Sequence, residues 1–170
     1  MNGQEIIDVV KRIDGLSSIF AGIFLNNYIP SYLKQKRNIF FIVNTIENIQ
    51  ENTLGHWTMV HLSIDKHLTF WCSYGFSVNS YGGAVAKFYN EFPYTKECVL
   101  KREYQQDTSI VCGIYVIFFA QKMFLNIPIQ KIKSYFSYNR KKNDSLMLKY
   151  FYKLTGKSFK SSIAYNNNMS

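Results

Sequence analysis

Val111-Cys112-Gly113-Ile114-Tyr115-Val116-Ile117-Phe118-Phe119, continued by Ala120-Gln121-Lys122-Met123-Phe124-Leu125, decides how the rest of the chain is read. No proline interrupts this stretch before Pro128, and its length suits a buried helix better than a strand. A cysteine stands at its start. A helix N-terminus carries about half a positive charge and unpaired N–H groups, which favour a thiolate over a thiol. Gly113 would let a substrate backbone come close. A lone cysteine at the start of a core helix is more often inert, so the reading needs partners elsewhere. Gly55-His56-Trp57 upstream and the pair Gln105-Gln106 just before the cysteine are the candidates.

A chain of 170 residues with 47% hydrophobic and 17% aromatic residues can bury a real core as one domain, which argues against disorder throughout. Three cysteines, an odd number, and no signal-peptide pattern point to free thiols in a reducing compartment. No CxxC or histidine pair has zinc spacing, and no apolar run has the length of a membrane span, so a soluble chain is expected. The net charge of +9 points to an anionic partner. From residue 129 to 170 there are nine Lys/Arg against one acid, Asp144, so nearly all the excess lies in the last quarter. Lys131, Lys133, Arg140, Lys141, Lys142, Lys149 and Lys153, with Tyr135, Tyr138 and Tyr150 among them, make a candidate polyanion surface. A solvated helical face is the plainer alternative.

In chain order, Ile6, Val9, Val10 and Ile13 have amphipathic helical spacing, ended near Gly15. Leu16 to Leu25 is apolar and reads as room for another short helix. Pro30 and Lys34-Gln35-Lys36-Arg37 mark a surface loop. Ile39 to Val43 reads as a buried strand, and Asn48 to Gly55 as loop. His56–Ser63 and His67–Ser73 form an antiparallel hairpin turning near Asp65-Lys66. A helix follows Gly82-Gly83 and stops at Pro93, and Cys98 to Arg102 is a further or edge strand. Pro128 starts a helix through Phe136. Asp144 is expected to cap another, with Leu146, Met147, Tyr150, Phe151 and Leu154 on its inner side. The fold class is α+β: a small mixed or antiparallel sheet, with a central buried helix starting at Cys112 and helices from both ends of the chain around it. Residues 1–156 form the domain and 157–170 a flexible tail.

Thiol proteolysis needs a thiolate, an imidazole that takes and returns the proton, a group that orients it, and donors for the oxyanion. Cys112 and His56 fit the first two roles. His61 and His67 lie within strands and read as packed or surface histidines. Gln105 and Gln106 lie seven and six residues before the cysteine. A side-chain amide there can fold back and donate to a tetrahedral oxyanion, a contact worth roughly 3 kcal/mol of barrier.

In this order and at these separations, several stretches together resemble the adenovirus protease (adenain) family, within the clan of SUMO- and ubiquitin-like proteases. They are the opening amphipathic helix, Ile42-Val43-Asn44-Thr45, Gly55-His56-Trp57, Tyr74-Gly75-Phe76-Ser77, and Cys112-Gly113 leading an apolar helix. The likeness runs from about Gln4 to Ala120 and stops by about Asn126. It implies a viral cysteine endopeptidase that cuts capsid and core precursors during virion maturation. His56 would be the base and Cys112 the nucleophile, with the Cys112 N–H and a glutamine amide forming the oxyanion hole. Adenain spacing selects Gln105 and SUMO-protease spacing selects Gln106, which is slightly favoured. Cleavage beside small residues such as glycine is implied, in a narrow slot next to Trp57. The setting implied is the virion and the infected cell, with the nucleus left open.

The chain departs from the family at the orienting acid. Counted back from Gly75 that place is Cys72, and counted forward from His56 it is Ser73; neither is a carboxylate. Asp65 falls in the hairpin turn. A Cys–His dyad with a weaker orienting group, a contact from elsewhere, and a degenerate copy all stay open. By the same resemblance, Cys98 would correspond to a cysteine that forms a disulfide with an activating peptide, the plainer alternative being a free edge-strand cysteine. Viral DNA would be a cofactor, though the chemistry itself requires none and no metal. The rival functions are an isopeptidase acting on ubiquitin-like modifiers and a catalytically dead, basic nucleic-acid-binding module.

Overall fold

The structure, a computed structural model, describes residues 1–46, 55–99 and 102–159, with only the backbone described for residues 98 and 99. Helix α1 (Gly3–Arg12) opens with a capping box, in which Asn2 accepts from the Glu5 N–H and Glu5 reaches back to the Asn2 N–H. The apolar run that follows is not the predicted helix. Leu16–Ile19 makes one 3-10 turn, and Phe20–Leu25 becomes strand β1, because residues 20–25 complete the edge of the sheet beside β2. The surface loop after Pro30 holds a short 3-10 helix, Ser31–Gln35.

Strands β2 (Ile39–Asn44), β3 (Trp57–Leu62) and β4 (Leu68–Trp71) stand where the sequence places them, and β3–β4 is the expected antiparallel hairpin. Helices α2 (Val78–Tyr81) and α3 (Gly83–Asn90) follow. Strand β5 (Lys96–Val99) starts two residues earlier than predicted. The sheet runs β1-β2-β3-β4-β5 and is mixed: both outer pairs, β1–β2 and β4–β5, are parallel, and the inner pairs antiparallel. The segments that return to the same end of the sheet before β2 and β5 account for those parallel edges.

The core lies on both faces of this sheet. Phe40, Ile42, Met59 and Trp71 point to one side, against α1, α4 (Cys112–Phe124), α5 (Ile129–Ser134) and α6 (Arg140–Thr155). Their neighbours Phe41, Val43, Val60, Phe70 and Cys72 point to the other, against α2 and α3. That period of two across a sheet covered on both sides explains why the strands read as unbroken apolar runs. α4 starts at Cys112 as predicted and is buried without interruption from Cys112 to Ala120.

Asp144 caps no helix. Asn139 does, accepting from the Lys142 N–H, and Asp144 lies inside α6 with its side chain buried. Met147 is buried and Tyr150, Phe151 and Leu154 pack on the core, but Leu146 is exposed. Of the predicted tail, residues 157–159 are described, and Phe159 packs edge-on against Phe151. The expected loop at 47–54 and the remainder of the tail lie outside the described residues.

Candidate active site

Two hydrogen bonds fix where His56 enters the sheet. Its N–H donates to Thr45 Oγ1 and its carbonyl accepts the Thr45 N–H, both at 2.9 Å. This is the structural content of the Asn44-Thr45 and His56-Trp57 stretches: the end of β2 pins the start of β3. The Trp57 N–H points at the Cys112 sulfur, so the start of α4 and the start of β3 meet at the thiol. His56 makes no hydrogen bond to Cys112, and its Nδ1 is buried without a partner among the described residues. Catalytic pairs are often loose before substrate binds.

The other imidazole nitrogen faces one of the two candidate orienting residues and not the other. Nε2 of His56 lies 3.3 Å from Cys72 Sγ, and Ser73 is turned away, donating from Oγ to Gln105 Oε1 at 2.7 Å. Cys72 therefore stands where the sequence looked for an acid. Its sulfur also meets Tyr81 Oη at 2.9 Å. Burial raises the Cys72 pKa, while Tyr81 and the N–H groups of Phe76, Tyr74 and Gly75 pull it back. Gly75 adopts φ +72, its N–H donates to the Cys72 carbonyl at 3.2 Å, and a Cβ there would strike the Arg102 carbonyl, so this turn requires glycine. The imidazole is further held by the rings of Tyr74 (centroids 4.3 Å, tilted by 32°) and Tyr81 (6.1 Å, stacked).

The two glutamines separate clearly. Gln105 is fully buried, and its amide donates to the Ser109 carbonyl (2.6 Å) and the Tyr74 hydroxyl (3.3 Å). It braces Tyr74 against His56 and has no free donor for an oxyanion. Gln106 is half-buried and its side chain has no hydrogen bond among the described residues. Of the two, only Gln106 is free to turn toward Cys112.

Three expectations change. Burial raises the Cys112 pKa, outweighing the Trp57 N–H, the positive amino terminus and the N–H groups of Gly113 and Cys112 itself, which favours the thiol over the thiolate. Gly113 faces Met1 and Ile6, whose atoms lie 3.1–3.3 Å from where a Cβ would be; its small size serves packing of the N-terminal segment. The place beside Trp57 is likewise covered, since the indole N–H donates to the Met1 carbonyl at 3.0 Å and the ring is buried.

His61 lies five residues along β3 from His56, about 16 Å at strand rise. It pairs with Phe40 and Thr69, and His67 stands 3.7 Å from Glu97. Asp65 stays exposed in the hairpin turn. Cys98 is paired with Phe70 on β5, but its side chain, and with it the disulfide expectation, lies outside the described residues. Among the described residues no group of His, Cys, Asp and Glu could hold a metal ion, and no helix is long and apolar enough to cross a membrane.

No family model and no curated protein matches the chain. Tyr74, Tyr81 and Asp144 belong to it and were not singled out for it from sequence; Tyr81 carries no local signal, being brought to Cys72 by the single turn of α2.

Burial lowers the His56 pKa to about 3 and, with the His67 charge as second cause, that of His61 to about 4. In the unfolded chain both titrate near 6.5. Between the folded and unfolded values the unfolded state binds more protons, so this stability is fully present above pH 6.5 and is lost as pH falls toward 3. Each histidine adds up to about 1.4 kcal/mol per pH unit to the slope. Urea unfolding from pH 7 to 4 should show a shallower slope in His56→Asn than in wild type; equal slopes would mean that His56 is not held neutral.

Proposed function

We propose that the chain is a cysteine endopeptidase of the adenain type that cuts viral capsid and core precursors, with Cys112 as nucleophile and His56 as base. The observation that carries this is the environment of His56: one ring nitrogen lies 3.3 Å from the Cys72 sulfur, the other is left without a partner among the described residues, and the next residue, Trp57, turns its N–H to the Cys112 sulfur. With Nε2–H donating to Cys72, Nδ1 accepts the Cys112 proton as the sulfur attacks the scissile carbonyl carbon. The developing oxyanion takes the Cys112 N–H and the Gln106 amide. On collapse the C–N bond breaks and the imidazolium returns the proton to the leaving amine. Water, activated by the same imidazole, then hydrolyses the thioester.

A thiol at the orienting place is an ambiguous partner. If the Cys72 S–H donates to Nε2 instead, the ring proton moves to Nδ1 and the base is blocked. A carboxylate can only accept, and the N–H groups of Tyr74 and Phe76 beside Cys72 suit one. Met1 beside Gly113 and Trp57 would have to move for substrate to reach this side of Cys112.

The basic C-terminal surface supports viral DNA as a second partner, with a smaller set of residues than the sequence suggested. Arg140 is engaged by Glu103 and Asp107 (2.5 and 2.9 Å), and Tyr150 donates to Gln121. Lys141, Lys142 and Lys149 remain along the outer side of α6.

The chain should be incubated with precursor proteins of its own virus and the fragments sequenced from their N-termini. Cuts beside small residues, lost in Cys112→Ala and kept in Cys98→Ala, are expected. Cleavage of ubiquitin-like conjugates alone would favour the isopeptidase, and no cleavage at all the binding module. Cys72→Asp should keep or raise kcat, because it fixes the tautomer; a large loss with both Asp and Glu would place the orienting group elsewhere. For DNA, Lys141→Ala with Lys142→Ala should reduce the salt slope of log K by about two, and Arg140→Ala by less than one. Salt-independent affinity would remove DNA as a partner.

A further inference from the structure

Resting on the endopeptidase reading, we propose that the start of α6 sets the oxyanion loop, with Asp144 as the positioning residue for Gln106. The loop from Glu103 to Ser109 has no strand or helix of its own, yet three residues within two turns of α6 hold it. Asp144 Oδ2 accepts the Gln106 N–H at 3.3 Å, and Oδ1 accepts the hydroxyl of Tyr115, one turn along α4 from Cys112, at 2.9 Å. Asn143 Nδ2 donates to the Tyr104 carbonyl at 3.0 Å. Arg140 closes the outer edge by pairing with Glu103 before the glutamine and Asp107 after it.

Asn143 and Asp144 are both buried, the second a carboxylate removed from water in the middle of an otherwise exposed stretch of helix. Such a group is costly to bury unless hydrogen bonds compensate, and here they come from the nucleophile's helix and the glutamine's backbone. Asp144 thereby measures the separation of Cys112 and Gln106, the two residues that must converge on one oxygen. It touches neither substrate nor reacting atoms and acts through Gln106.

The test compares wild type, Asp144→Ala, Asp144→Asn and, as a control on the same helix, Met147→Ala. Asparagine still offers a carbonyl to the Gln106 N–H and an amide to Tyr115, so it should restore most of what alanine loses. For precursor cleavage, Asp144→Ala should lower kcat about 10- to 100-fold with KM within about twofold, a fraction of the loss expected when one oxyanion donor is removed. Labelling of Cys112 by iodoacetamide, which forms no oxyanion, should stay within about twofold. Amide exchange at Gln106 and Ser109 should quicken at least about tenfold in Asp144→Ala, with α4 unchanged. Met147→Ala should destabilise the fold without this pattern. Unchanged kcat and exchange in Asp144→Ala, no rescue by asparagine, or equal losses in Met147→Ala would overturn the proposal. If wild type cleaves no precursor, the endopeptidase reading fails, and the exchange data alone then decide whether α6 holds the loop.

Discussion

Nine consecutive residues of α4, Cys112 to Ala120, are buried on every side of the helix, and the other elements are arranged to cover them. The sheet supplies Met59 and Trp71, with Trp71 stacked on Phe119 at 4.7 Å; α1 supplies Ile6, Val9 and Val10; Phe136 and Met147 close the remaining side. Each large apolar side chain buried there contributes about 1.5–3 kcal/mol. The same burial fixes the chemistry. A helix N-terminus favours an anion by about 0.3–1 kcal/mol, up to about 2 in partly buried geometry, whereas desolvation can move a buried group by several pKa units. In this chain desolvation prevails at Cys112, His56 is held neutral, and the resting pair is thiol and imidazole. On the proposed reading, the imidazole acts as a general base during attack and not as half of a preformed ion pair.

Position without charge describes the surroundings of His56. Thr45 fixes its backbone, Tyr74 and Tyr81 fix its ring, and Gln105 fixes Tyr74. What a carboxylate would add is the choice of tautomer, which stacking cannot make. Cys72 reaches Nε2 and lies among N–H donors, so the site keeps the shape of an acceptor position while its occupant can also donate.

The strands and α4 were legible because strand and helix periods and an uninterrupted apolar run report burial directly. Leu16–Leu25 misled for the same reason: a short apolar run does not distinguish a helix from an edge strand, and only pairing with β2 decided it. Cys112 and His56 were candidates from order, spacing and the family resemblance, while spacing left Cys72 and Ser73 equal until the fold put the Cys72 sulfur beside His56 and turned Ser73 to Gln105. Gln105 and Gln106 could not be separated, because one is locked and the other left free by Ser73, Tyr74 and Ser109, whose approach depends on the fold. Asp144 illustrates the limit best. As an acid near the start of a helix it read as a cap, while Asn139 takes that role and Asp144 turns inward to Tyr115 and Gln106. Arg140 likewise counted as a phosphate ligand until two carboxylates from a distant loop were seen to engage it.

If His56 takes the proton from Cys112, the pH dependence of Cys112 alkylation shows it most directly. Iodoacetamide labelling of wild type and His56→Ala should be followed from pH 6 to 10 with Cys112 resolved by peptide mapping. At pH 7 the variant should label at least about tenfold more slowly, because the buried thiol has lost its base. The rates should converge as pH approaches the raised thiol pKa, where the thiolate forms unaided. Superimposable profiles would show that the two residues do not work together.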